Sequence, residues 1–176
     1  MINDNKQRDI DSDYWIKGVK LGQIRGRLIQ EFFDLMDKEY QLYDWIEKDK
    51  EEYRKDGNKN VRFHANIWFA VEMIFDELDL QVSLDKGTAP YEDIGCYLKS
   101  REEAEALYEV AKYLGPMADD CYTNDEYLSY PDLEPMRQAA GEAFRIFMEN
   151  EKDNTEFCEF IEDLKVKRLK EISASC

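Results

Sequence analysis

Three pairs of carboxylates stand three residues apart: Glu31/Asp34, Asp76/Asp79 and Glu102/Glu105. On a helix that spacing puts both members of a pair on one face. Two such pairs on adjacent helices are the means by which an all-α nucleotide hydrolase holds Mg²⁺ against phosphates. With forty Asp and Glu in 176 residues, however, pairs of this kind arise by chance. The Lys and Arg needed to grip phosphate are also sparse around the second and third pairs.

Other chemistries lack a reagent. His64 is the only histidine, so the paired Glu-x-x-His sets of a di-iron bundle cannot be built. Beside an apolar run a lone His reads as structural. Cys96, Cys121, Cys158 and Cys176 form no C-x-x-C, which argues against zinc and for free thiols in a reducing compartment. No G-x-S-x-G, Walker A or H-E-x-x-H occurs. The expectation is therefore a non-enzyme with no cofactor, no metal ligand and no catalytic residue.

Charge is the stronger signal. Residues 67–136 hold seventeen Asp and Glu against four Lys and Arg, a net of −13 out of −16 for the chain. Such asymmetry suits a face that meets something positive. It excludes direct nucleic-acid binding, since phosphates would be repelled, and disfavours an anionic membrane surface. No apolar run approaches the roughly 18 residues of a membrane span, and residues 1–13 have no apolar core of a signal peptide. A cytoplasmic protein is expected.

The elements that must position these residues read as all-α. The pattern predicts a flexible polar arm over 1–12 and a single helical domain over 13–176. That domain is a bundle of about five to six helices with two irregular acidic loop segments. Asp13 caps a short first helix, and Gly18, Gly22 and Gly26, four apart, line a face for another helix or for another copy in a homodimer. A long helix then starts near Ile24, with Leu28, Phe32, Leu35, Leu42 and Ile46 as its stripe. Its solvated tail, 47–55, ends at the turn 56–60. Residues 61–78 are apolar nearly all round, which predicts a helix at the buried centre.

Residues 80–98 are irregular. Ser100 with Glu103 forms a capping box for a helix with Ala104, Leu107, Tyr108, Ala111 and Leu114 inward, ended by Gly115-Pro116. After a second irregular stretch, 119–131, Leu133, Met136, Ala140, Ala143 and Phe147 mark the next helix. The last helix starts at Asn154 or Thr155 and buries Phe157, Ile161 and Leu164. Its Lys165, Lys167, Arg168 and Lys170 complement the helix dipole.

The two irregular segments combine acids with tyrosines, which bring large contact area and a polar tip to interfaces. The expected partner-binding residues are Asp76, Glu77, Asp79, Asp85, Tyr91, Glu92 and Asp93 in the first. In the second they are Asp119, Asp120, Tyr122, Asp125, Glu126, Tyr127 and Tyr130.

The order of short motifs carries a resemblance. Phe75-Asp76-Glu77-Leu78-Asp79-Leu80 is followed by Ile94-Gly95-Cys96-Tyr97-Leu98, then by Glu102-Glu103-Ala104. Tyr127-Leu128-Ser129-Tyr130-Pro131 and Ala139-Ala140 complete the series. In this order the chain resembles a family of small acidic, functionally uncharacterised bacterial proteins, similar in type to the immunity proteins of toxin systems. It departs from that pattern at Leu133, where a Trp would stand. The resemblance implies an antitoxin-type inhibitor that neutralises a basic cognate toxin domain by direct binding. The alternative is a DNA mimic that occupies a nuclease or restriction enzyme, which needs two long tracks of carboxylates.

Overall fold

The computed structural model describes residues 15–16, 19–20, 23–44, 67–118 and 124–175. Over these the chain is all-α apart from two strands of two residues each, β1 (Trp15–Ile16) and β2 (Val19–Lys20). The helices are α1 (Gln23–Met36), α2 (Lys38–Leu42), α3 (Ile67–Val71), α4 (Leu80–Lys86), α5 (Arg101–Ala118), α6 (Asn124–Leu128), α7 (Leu133–Asn150) and α8 (Thr155–Ser175). A π-helical turn, Glu72–Glu77, continues α3, and a 3₁₀ turn, Tyr91–Asp93, follows α4. No helix among the described residues is long and apolar enough to cross a membrane. The arm 1–12, the tail 47–55, the turn 56–60, Ile46, His64, Cys121 and Cys176 lie outside the described residues.

The first helix expected from Asp13 is replaced by an antiparallel pair, Trp15 opposite Lys20 and Ile16 opposite Val19. Two residues separate the strands, the commonest hairpin spacing.

The long helix from Ile24 is interrupted at Asp37. Its side chain accepts a hydrogen bond from the Tyr40 amide at 2.9 Å and caps a new helix, α2. Asp is among the best residues for that role. The carbonyls left open at the end of α1 find other donors. Gln41 Nε2 donates to Asp34 O and Leu35 O, and Arg168 Nη1 donates to Phe33 O.

Helix α7 lies at the centre, with α1 and α5 packed against it. Its predicted stripe of Leu133, Met136, Ala140, Ala143 and Phe147 is buried throughout. Small residues let the neighbours come close, and Gly141 would place a Cβ 3.8 Å from Met36 Cβ. On the α1 side the Phe32 and Phe147 rings meet edge to face at 5.2 Å, and Phe33 stacks on Phe144 at 5.3 Å.

The apolar segment expected at the centre is a flank instead. Ile67, Ala70, Val71, Met73 and Ile74 are buried, but Trp68 is 37% exposed and Phe69 58%. All-round apolar composition therefore did not mean all-round burial.

Helix α5 does not stop at Gly115-Pro116. It runs to Ala118 with Pro116 inside, because Met117 in the last turn is fully buried and anchors it. The missing Pro116 N–H costs one backbone bond. At the other end Ser100 Oγ accepts from the Glu103 amide at 3.3 Å, as the capping box requires. The Glu103 carboxylate, however, accepts from Lys99 N at 2.6 Å, one residue earlier than the motif predicts. Asn154 caps α8, its side chain accepting from Phe157 N at 3.2 Å.

Candidate protein-interaction surface

The acidic segment expected to be irregular over 80–98 is mostly built of helical turns, and their order explains where its carboxylates point. In the π turn Leu78 N donates to Met73 O, five residues back, at 3.1 Å. A turn closed over five residues advances each side chain by less than the roughly 100° of an α-helix. With that smaller step Asp76 and Glu77 stay in the same sector as Trp68, Phe69 and Glu72, all five exposed. An α-helical register would carry Glu77 towards the buried side. Here its carboxylate instead accepts from Arg27 Nη1 at 2.8 Å.

Asp79 follows with φ of 57°, the sole non-glycine residue at positive φ among the described residues. Asp tolerates this left-handed conformation better than most residues. It turns the chain into α4, where exposed Asp85 accepts from Gln81 Nε2 at 2.8 Å. Gly87, at φ 66°, ends α4.

The remaining residues of the first set divide. Glu92 is exposed. Tyr91 is committed within the protein: its hydroxyl donates to Glu105 Oε1 at 2.9 Å, and the Arg101 guanidinium lies 4.2 Å from its ring centroid. The Glu105 hydrogen bond raises the phenol's pKa. Asp93 is buried and accepts from the Tyr97 hydroxyl at 2.7 Å. That corrects its assignment to the surface, since Asp93 closes the turn that carries it.

In the second set Asp119, Asp120 and Tyr122 lie outside the described residues, and the side chain of Asp125 does also. Glu126 is exposed and Tyr130 half-buried. Tyr127 is buried, its hydroxyl donating to Met117 O at 3.3 Å. This is a second correction, because Tyr127 caps the C-terminal turn of α5 and meets no solvent. The two segments do converge there. A Cβ on Gly115 would lie 3.4 Å from Leu84 Cδ1 and 3.6 Å from Phe75 Cζ, so the π turn and α4 cover the same end of α5 that Tyr127 caps.

Of the three carboxylate pairs, Glu31/Asp34 lies against cations. Asp34 takes an ion pair from Arg168 Nη2. Glu31 is half-buried, and burial pushes its carboxyl up to about 7 against the opposing pull of Arg27 and Arg168. Among the described residues no group of three or more His, Cys, Asp or Glu could hold a metal ion.

Sequence reasoning missed a highly connected polar centre among the described residues. Arg25 on α1 is fully buried and holds Glu103 of α5 bidentately, at 2.8 and 2.7 Å. Its Nε donates to Glu151 at the end of α7, and its Nη1 to Tyr97 O at 2.9 Å. Lys99 Nζ reaches Glu151 Oε1 at 2.6 Å, and Asn150 Nδ2 donates to Glu103 Oε1 at 2.8 Å. Two cations thus balance two anions, and both Glu103 oxygens accept a further hydrogen bond, from Lys99 N and from Asn150 Nδ2. The only sequence signal was Glu103, already assigned to the capping box.

Arg168 forms a second anchor. Its guanidinium lies 3.8 Å from the Phe33 ring centroid and 4.0 Å from that of Tyr40. It was expected to complement the dipole of its own helix. Because α8 continues to Ser175, Arg168 lies inside it, and the carbonyl end that it serves is that of α1.

In comparisons with family models, curated proteins and solved structures, no match to this chain was found. Fold and surface together define an all-α bundle with an acidic, partly aromatic exposed face.

Proposed function

We propose that the protein is an acidic protein-binding module, an immunity- or antitoxin-type inhibitor that neutralises a basic toxin domain by direct binding. The observation that carries this reading is the exposure of Glu72, Asp76, Glu77, Asp79, Asp85 and Glu92 along one continuous segment. Residues 67–99 contain two bases, Lys86 and Lys99, and Lys99 is engaged by Glu151. The field of such a segment steers a basic partner to fast association that weakens with salt. Toxin domains that act on nucleic acid are themselves basic, so an inhibitor covering such a surface is acidic. A DNA mimic would need two long tracks of carboxylates, whereas here the acids share their face with aromatic side chains.

The test is charge reversal. Glu72, Asp76, Asp85 and Glu92 are changed together to Lys, and binding is titrated against the partner recovered from the native cell. Affinity is expected to collapse while the thermal unfolding midpoint holds. Unchanged affinity with an unchanged salt slope would refute the reading. A parallel reversal of Asp119, Asp120, Asp125 and Glu126 asks whether the second segment contributes.

A further inference from the structure

We infer that Phe69, with Trp68 beside it, is the apolar seat of the interface, and that the occupant is a protein surface whose apolar knob is ringed by Lys and Arg. The inference rests on the binding reading above and says where on the acidic face the contact centres. Phe69 is 58% exposed, in a segment where Ile67, Ala70, Val71, Met73 and Ile74 are buried and Trp68 is 37% exposed. A large aromatic in water forgoes the stabilisation that its burial would bring.

Its surroundings give the occupant's chemistry. Glu72 stands one turn on from Phe69, and the π step holds Asp76 in the same sector, with Glu77 beside it paired to Arg27. Asp79, exposed at its left-handed turn, closes the far end. An apolar centre with a carboxylate rim matches a partner of the inverse pattern, in which charged groups pair at the edge while the centre excludes water. A purely polar polycation would leave Phe69 wet. A second copy of this chain is opposed by its own net charge of −16. Sequence reading buried Phe69, so this seat lay outside the residues first expected to bind.

Two synthetic helical peptides of equal length and charge serve as probes, one alternating Lys with a Leu stripe, the other with Ser in place of Leu. Binding to the full chain is read by fluorescence anisotropy at several salt concentrations. The Leu peptide should bind about tenfold more tightly than the Ser peptide. Phe69→Ala should erase that difference, Phe69→Leu should restore much of it, and the unfolding midpoint should not move in either variant. Equal binding of the two peptides, lost on reversing Glu72 and Asp76 to Lys, would overturn the aromatic seat and leave the acidic reading standing. If neither peptide binds, both fail. If light scattering shows the unmodified chain self-associating and Phe69→Ala monomeric, the occupant is a second copy and the inference is wrong.

Discussion

Arg25 and Arg168 both tie the N-terminal helix to distant parts of the chain, yet their surroundings treat the charge oppositely. Around Arg25 burial is the largest single influence and lowers the pKa, but Glu103 and Glu151 together outweigh it, so the net shift is upward. Around Arg168 burial wins, and the guanidinium is pushed down to about 10 even though Glu171 and Glu31 pull it up. The difference lies in coordination. Arg25 has two buried carboxylates and a carbonyl, each within hydrogen-bond reach. Arg168 has two partly exposed carboxylates, Asp34 and, at 3.8 Å, Asp37, and otherwise two aromatic faces and a carbonyl. One is a closed ion cluster. The other is a clasp.

The largest effect should follow from opening the cluster. Arg25→Met leaves Glu103 and Glu151 buried with one cation short, and breaking a buried pair from one side costs about 3–5 kcal/mol. Urea unfolding measures the loss. Changing Arg25, Glu103 and Glu151 together to Met, Leu and Met should recover most of it, because no buried charge is then left uncompensated. If the triple variant is as unstable as the single one, the cluster contributes more than mutual neutralisation.

Arg168→Met tests the clasp. The stem still packs between Phe33 and Tyr40, so the cost is confined to the lost ring contacts and ion pair, about 1–2 kcal/mol. Hydrogen exchange of α8 amides should report this opening more strongly than that of α7.

The clasp also has a pH signature at Glu31. A carboxyl whose pKa rises from 4.5 unfolded to about 7 folded binds more protons in the folded state between those values. Stability from this group is therefore full below pH 4.5 and declines as pH rises towards 7. Glu31→Gln should raise the melting temperature at pH 8 and leave it nearly unchanged at pH 4.5. Equal shifts at both values would show that the charge is not the cause.

The smallest effect is a control on the packing that both arginines frame. At Gly141 an added Cβ finds Met36 Cβ at 3.8 Å, ordinary contact. Gly141→Ala should then gain about 0.5–1 kcal/mol from helix propensity alone. A loss would mean that α1 and α7 approach more closely than this geometry indicates.

What was legible in the sequence was whatever depends on neighbours a few residues away. The stripe from Leu133 to Phe147, the Ser100 and Asn154 caps and the all-α class all follow from helical spacing and local hydrogen bonding. Residues 67–74 show the limit, because apolar spacing says that a helix forms but not which side the rest of the chain covers. Met117 overrode the Gly115-Pro116 stop by tertiary burial. Asp37, a good cap in an apolar stripe, was hidden by the strength of the stripe. For the candidate site, charge was legible and exposure was not. Asp93 and Tyr127 read like their acidic and aromatic neighbours, yet each is engaged inside the fold, Asp93 by Tyr97 and Tyr127 by the Met117 carbonyl. The Arg25 cluster joins residues too far apart for any local pattern to reveal.

That separation bears on how the protein is made. Arg25 and Glu151 are 126 positions apart. At roughly 5–20 residues per second, a ribosome needs on the order of 6–25 s to reach the second after finishing the first. For that interval the nascent chain carries a guanidinium destined for the interior with its last carboxylate not yet synthesised. The Arg25 cluster can therefore close only after Glu151 has been made. A chain stalled before Glu151 should be caught by proteases at α1, where the completed protein resists them.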